Sequence, residues 1–117
     1  MVVKENAKDG DSVSIKAYNG SDPIVVIPEQ IDGKDVISII NGPFSNDSLK
    51  YVDLGYNLKE FDNAYFSDTL EVIHLPAGVE NLDKVVFFGE DTLTIVGKAG
   101  SFAETFAKEE GIKFEAE

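Results

Sequence analysis

Cysteine is absent from the 117-residue chain. With it go disulfides, thiolate zinc sites, iron–sulfur ligation and cysteine nucleophiles. Cations are scarce: Lys and Arg number 10 against 22 Asp and Glu, a net charge of −12. That field repels the phosphates of nucleic acids and anionic membrane surfaces, so neither is an expected partner. It favours solubility and basic partners. No run approaches the ~18 apolar residues of a spanning helix, so direct membrane insertion is not expected. No charged segment followed by an apolar one opens the chain, and a signal peptide is expected to be absent or already removed. Histidine is nearly absent too. His74 is the only one, so any histidine-based acid–base or metal chemistry must use it.

Cofactor fingerprints fare no better. Gly97-Lys98 resembles the end of a phosphate loop, but Thr92 stands where the upstream Gly belongs and Ala99 where Ser or Thr is required. Asp9-Gly10-Asp11 resembles the start of a calcium loop, but its twelfth position is Gly20 instead of Glu. The many carboxylates read as a solvated surface. No catalytic, cofactor-binding or metal-binding residue is assigned, and the chain reads as no enzyme. Hydrophobic residues make up 43% of it, enough for one packed domain.

What is present is an echo. Leu49-Lys50-Tyr51-Val52-Asp53-Leu54 returns 21 residues later as Leu70-Glu71-Val72-Ile73-His74-Leu75. Leu58, Phe61 and Phe66 follow the first; Val79, Leu82 and Phe87 follow the second. A period of this length marks a solenoid, and solenoids mostly bind other molecules. A degenerate copy begins earlier. Val25 and Ile27 align with Val52 and Leu54, and Pro28 with Gly55 and Pro76. After a tight turn on Asp32-Gly33, the positions Val36, Ile39 and Phe44 resume the register. Five residues separate Ile39 from Phe44, Phe61 from Phe66 and Leu82 from Phe87. A fourth copy starts at Leu93-Thr94-Ile95-Val96 and then departs.

The ends read differently. Residues 1–12 are polar after Val2 and Val3 and are expected to form a tail or an edge strand, with a turn at Asp9-Gly10-Asp11. Val13, Ile15 and Ala17 alternate with polar residues as a half-buried strand does. Asn19-Gly20 signals a turn, and Ile24-Val25-Val26-Ile27 follows. These two strands are expected to pair as an antiparallel hairpin that covers the open solenoid end. At the other end, Ser101 and Glu104 form a capping box. Phe102, Ala103, Phe106 and Ala107 share one helical face, Gly111 stops the helix, and Ile112 and Phe114 offer a last strand. The expected divisions are a tail over 1–12 and a single domain over 13–117. The domain comprises an N-terminal cap (13–35), repeats (36–96) and a C-terminal cap (97–117).

Strand alternation assigns faces. With Val52, Leu54, Ile73 and Leu75 inward, one outward column reads Ile24, Tyr51, Val72 and Ile95. The next reads Val26, Asp53, His74 and Gly97. Phe44, Phe66 and Phe87 form an inward aromatic spine. The first column is more apolar than a solvated face should be, so Ile24, Tyr51, Val72 and Ile95, flanked by Asp53 and His74, are the candidate binding strip. Asp53 and His74 on adjacent strands form a cross-strand pair.

The repeat template, the Pro after the strand, the Ile31-Asp32-Gly33-Lys34 turn and the tail from Gly97 to Ile112 together resemble the BspA-type leucine-rich repeat proteins of bacteria, over residues 13–115. The chain is similar to a divergent, short member. The resemblance implies an α+β, β-rich leucine-rich-repeat solenoid with an N-terminal β-hairpin cap and a C-terminal helix cap. It implies a secreted or cell-surface location and a non-enzymatic role in adhesion, with a protein or glycan partner, host-derived, and no cofactor. The alternative expectation is a structural spacer or a weakly self-associating domain without its own ligand.

Overall fold

Val52 and Ile73 occupy the same place in successive turns, and stacking them buries both. Repeating that relation along the chain gives the architecture. In a computed structural model, residues 2–5, 12–17, 22–40, 48–82, 85–87 and 92–117 are described. In chain order the elements are β1 (Val2–Glu5), β2 (Ser12–Ala17), β3 (Ile24–Val26), β4 (Gln30–Ile31), β5 (Lys34–Ile40), β6 (Tyr51–Asp53), β7 (Glu60–Asp62), β8 (Ala64–Phe66), β9 (Val72–His74), β10 (Val85–Phe87), β11 (Thr94–Gly97), α1 (Phe102–Glu110) and β12 (Lys113–Ala116). The molecule is strand-rich, with a single helix among the described residues, and stacks about four solenoid-like turns.

The main sheet runs β3-β6-β9-β11-β12, and every pair in it is parallel. A second sheet runs β1-β2-β5-β4, with β7 also pairing β5, and β8 pairs β10 separately. Each full turn therefore crosses the main sheet, rounds a corner and returns through the other strands. The corners repeat as well. Leu58 donates its N–H to the Gly55 carbonyl at 3.1 Å, and Val79 donates to Pro76 at 3.2 Å. Asn63, with φ of 56°, turns the chain between β7 and β8. Asp32 and Gly33 both have positive φ (54° and 78°), the signature of the tight hairpin turn that joins β4 to β5.

The core lies inside the turns. Val25, Ile27, Val52, Leu54, Ile73, Leu75 and Ile95 come from the main sheet, and Val13, Ile15, Val36, Ile39, Phe61, Phe66 and Phe87 come from the strands opposite. Ser14 and Ser38, also buried, bond to each other across β2 and β5, which satisfies hydroxyls that burial would otherwise strand. The aromatic spine is present as Phe66 on Phe87, and Phe106 and Phe102 of the helix extend it. Phe44 lies outside the described residues, as do Asp9-Gly10-Asp11 and Asn19-Gly20.

Two expectations change. First, β2 and β3 form no hairpin. β2 pairs β1 antiparallel and β5 parallel, while β3 joins the main sheet beside β6. Pairing with β5 sets Val13 against Val36 and Ile15 against Ile39 and buries all four. Non-local burial outweighs the local turn signal. Val2–Glu5 takes the edge-strand form, one of the two outcomes expected for this segment. Second, the capping box does not form. The Ser101 hydroxyl accepts from no helix N–H and instead donates to the Lys98 carbonyl at 2.6 Å, while Glu104 accepts at 2.9 Å from the Gly100 N–H, one residue before the N-cap. That backbone hydrogen bond, helped by Lys108, holds the Glu104 carboxyl below the ordinary glutamate value. The other helix features are as expected. Ala103 and Ala107 are buried, and Gly111 ends the helix in the left-handed conformation at φ 71°. Ile112 then donates to the Ala107 carbonyl at 2.8 Å, and β12 joins β11.

Candidate recognition face

The outer face of the main sheet carries two columns fixed by strand register. The first reads Ile24, Tyr51, Val72, Thr94 and Lys113. The second reads Val26, Asp53, His74, Val96 and Glu115. Three of the four expected strip residues are therefore neighbours: Ile24, Tyr51 and Val72. Ile24 is 62% exposed; Tyr51 and Val72 are half-buried.

Ile95 is not on this face. It pairs with Ile73 and is fully buried, and Thr94 takes its place in the column. Gly97 likewise leaves the second column, where Val96 stands. The cause is one missing residue. Leu49 precedes Val52 by three positions and Leu70 precedes Ile73 by three, but Leu93 precedes Ile95 by two. A strand entered one residue earlier presents its other face.

Asp53 and His74 are brought together as expected. The His74 Nδ1 lies 3.3 Å from the Asp53 Oδ1. Nδ1 is shielded from solvent and makes no hydrogen bond. On the other side Nε2 meets the Glu117 carboxylate, which reaches back from the end of β12. The His74 side chain is only 12% exposed, and the Tyr56 ring stands edge-on to it at 6.4 Å. The imidazole thus sits between two carboxylates and an aromatic ring. No serine hydroxyl is among these partners, which a nucleophilic triad would need. Among the described residues no three His, Cys, Asp or Glu side chains gather as a metal site.

Grooves open at both ends of the strands. At the C-terminal end, a groove of about 270 Å³ lies between the first two turns, bordered by Val26, Glu29, Asp53 and Tyr56. Its floor is a close backbone approach. A Cβ on Gly55 would lie 3.0 Å from the Ile27 carbonyl oxygen, so the two turns meet there only because the residue is glycine. At the N-terminal end a wider hollow of about 560 Å³ is lined by Lys50, Asp68, Thr69, Glu71 and Thr92. The Lys50 ammonium pairs with Glu71 across it at 3.4 Å, an exposed ion pair of small energetic weight.

Sequence reasoning did not single out Tyr56 or Glu117, and it placed Val26 in the second outward column without including it in the strip. Tyr56 is 66% exposed, at the corner position that Glu29 and Ala77 hold in the adjacent turns. An aromatic residue at a turn position was the available signal. Nothing local marks Glu117, since its contact with His74 spans 43 residues.

Compared with known proteins, the chain matches no protein-family model, no curated protein sequence and no solved structure.

Proposed function

We propose that this chain is a non-enzymatic binding module of a bacterial secreted or cell-surface protein, which takes a protein or glycan partner on the outer face of its main sheet. The fold that goes with this proposal is a leucine-rich-repeat solenoid of the BspA type, with α1 as its C-terminal cap. The β1–β2 pair extends the second sheet beyond β5, in place of the hairpin expected from sequence. Adhesion is the role that the family resemblance suggests.

The observation that carries this proposal is the outer face itself. Ile24, Tyr51 and Val72 line up on three adjacent parallel strands, beside Val26, Asp53 and His74. Hydrogen-bonded strands hold these side chains at fixed spacings of about 4.8 Å. A rigid apolar and aromatic column bordered by polar groups suits recognition, because little side-chain entropy is lost on contact.

Binding of wild type and Val72→Asp to immobilised glycans and extracellular-matrix proteins tests the proposal. Capture of wild type with loss in the variant supports it. Equal behaviour of the two contradicts it.

A second proposal has its own support. Thr94 and Lys113 stand where an apolar column would continue, so the strip is three residues long. A structural spacer needs no more than that. Solution mass across a concentration series, for wild type and Tyr51→Asp, read together with the capture assay in which a spacer takes up no glycan or matrix protein, separates the two. A spacer stays monomeric in both, and a self-associating strip loses its dimer in the variant.

A further inference from the structure

We propose that the free edge of β3, with the groove at its C-terminal end, takes an extended segment of a partner protein that carries lysine or arginine. This rests on the binding role proposed above and narrows its partner.

The edge comes first. β3 ends the main sheet, and among the described residues no strand pairs with its far side. The Lys50 and Tyr51 N–H groups donate to the Pro23 carbonyl at 2.8 and 2.9 Å, and Ile27 donates to the Asp53 carbonyl at 2.8 Å. The odd-numbered residues therefore turn their backbone groups toward β6. Alternation leaves the N–H and C=O groups of Ile24 and Val26 on the open edge. Their side chains are 62% and 59% exposed, the exposed large aliphatic residues among those described. An extended peptide added here would satisfy the backbone and cover the side chains together. Pro23 and Pro28 bracket the edge, which keeps it short and discourages promiscuous pairing. A short ladder alone binds weakly, so its occupant needs a second hold.

The groove supplies that hold. A segment continuing past Val26 arrives at Glu29, Asp53 and the exposed Tyr56 ring. The Glu29 carboxylate has no partner among the described residues, and its main-chain carbonyl is held by Asn57 at 3.2 Å and by the Val36 N–H at 2.9 Å. Two carboxylates and a π-face in one groove match a cationic side chain. The close approach at Gly55 fixes the floor, so the site is formed before binding. The charge of the whole chain points the same way. At −12 it repels a second copy of itself and attracts a basic segment.

The test is an amide-resolved NMR titration of the full chain with a short blocked peptide of alternating lysine and valine, against one of alternating glutamate and valine. The lysine peptide is expected to shift the Ile24, Val26 and Tyr56 amides and to slow hydrogen exchange at Ile24 and Val26. Binding is expected to weaken with salt, and Glu29→Lys, at an exposed site that leaves the fold intact, to raise Kd about tenfold. Equal binding of the glutamate peptide, shifts elsewhere, no binding, or an unaffected Glu29→Lys overturns the proposal. Concentration-dependent protection of Ile24 and Val26 without peptide overturns it in favour of a second copy. Matrix or glycan capture lost in Val72→Asp but kept in Glu29→Lys leaves the sheet-face role standing and overturns this edge.

Discussion

The ring of Phe66 lies on the ring of Phe87, with centroids 5.4 Å apart and planes 17° from parallel. The two residues hold the same place in successive turns. Phe66 also takes the ring of Phe61 edge-on at 6.1 Å. It is fully buried. Phe66→Ala is expected to cost ~3–5 kcal/mol, a large share of the ~5–15 kcal/mol that holds a domain folded. Urea unfolding reads this directly. An unchanged midpoint would mean that the spine is not a core.

The register of the fourth copy has its own test, and the absence of native cysteine makes it clean. Thr94→Cys places a thiol on the outer face and Ile95→Cys places one in the core. A thiol reagent is expected to label the first rapidly and the second only at the rate of opening. The reverse order would restore the column expected from sequence, with Ile95 facing outward.

That pattern shows which parts of the fold are legible. Val52 and Ile73 declare their inward faces because each copy has the same length and the same apolar spacing. Leu93-Thr94-Ile95-Val96 does not, since its residues alternate acceptably in either register. Only pairing with Ile73 and Phe114 decides for Ile95 inward. The helix was legible because Phe102, Ala103, Phe106 and Ala107 share one face and Gly111 punctuates it. The partnership of β2 was not, because Val13 and Ile15 would suit an antiparallel neighbour as well as β5. In the site, Asp53 beside His74 followed from the repeat period. Glu117 over His74 did not, because chain-end contacts carry no periodic signal.

Gly55 is expected to resist substitution more than its exposed neighbours. A Cβ there meets the Ile27 carbonyl at 3.0 Å and the Glu29 backbone at 3.2 Å. Both are main-chain atoms of the preceding turn and have little room to yield. Gly55→Ala is expected to destabilise by ~1–3 kcal/mol and to disturb Glu29 and Tyr56 chemical shifts. A neutral substitution would show that the turns are looser than described.

The helix start has a pH signature. Glu104 is held below its ordinary value first by the Gly100 N–H and then by Lys108. Folding therefore favours its ionised form. The stabilisation is fully present above the unfolded carboxyl value and is lost as pH falls through the lowered folded value. Glu104→Gln is expected to flatten that part of the acid limb, read as stability against pH from about 6 down to about 2. An identical profile in the variant would show that the Gly100 contact contributes nothing.

The recognition face is tested most directly by the footprint of a captured ligand. The matrix protein fragment or glycan that wild type binds best is titrated into the labelled chain, and amide shifts are mapped by residue. The expected footprint covers Ile24, Tyr51 and Val72 across β3, β6 and β9, spares Ile95 and the spine around Phe66, and disappears in Val72→Asp. A footprint on the β5–β7 side, or one that survives Val72→Asp, would contradict the assignment of the main sheet as the binding surface.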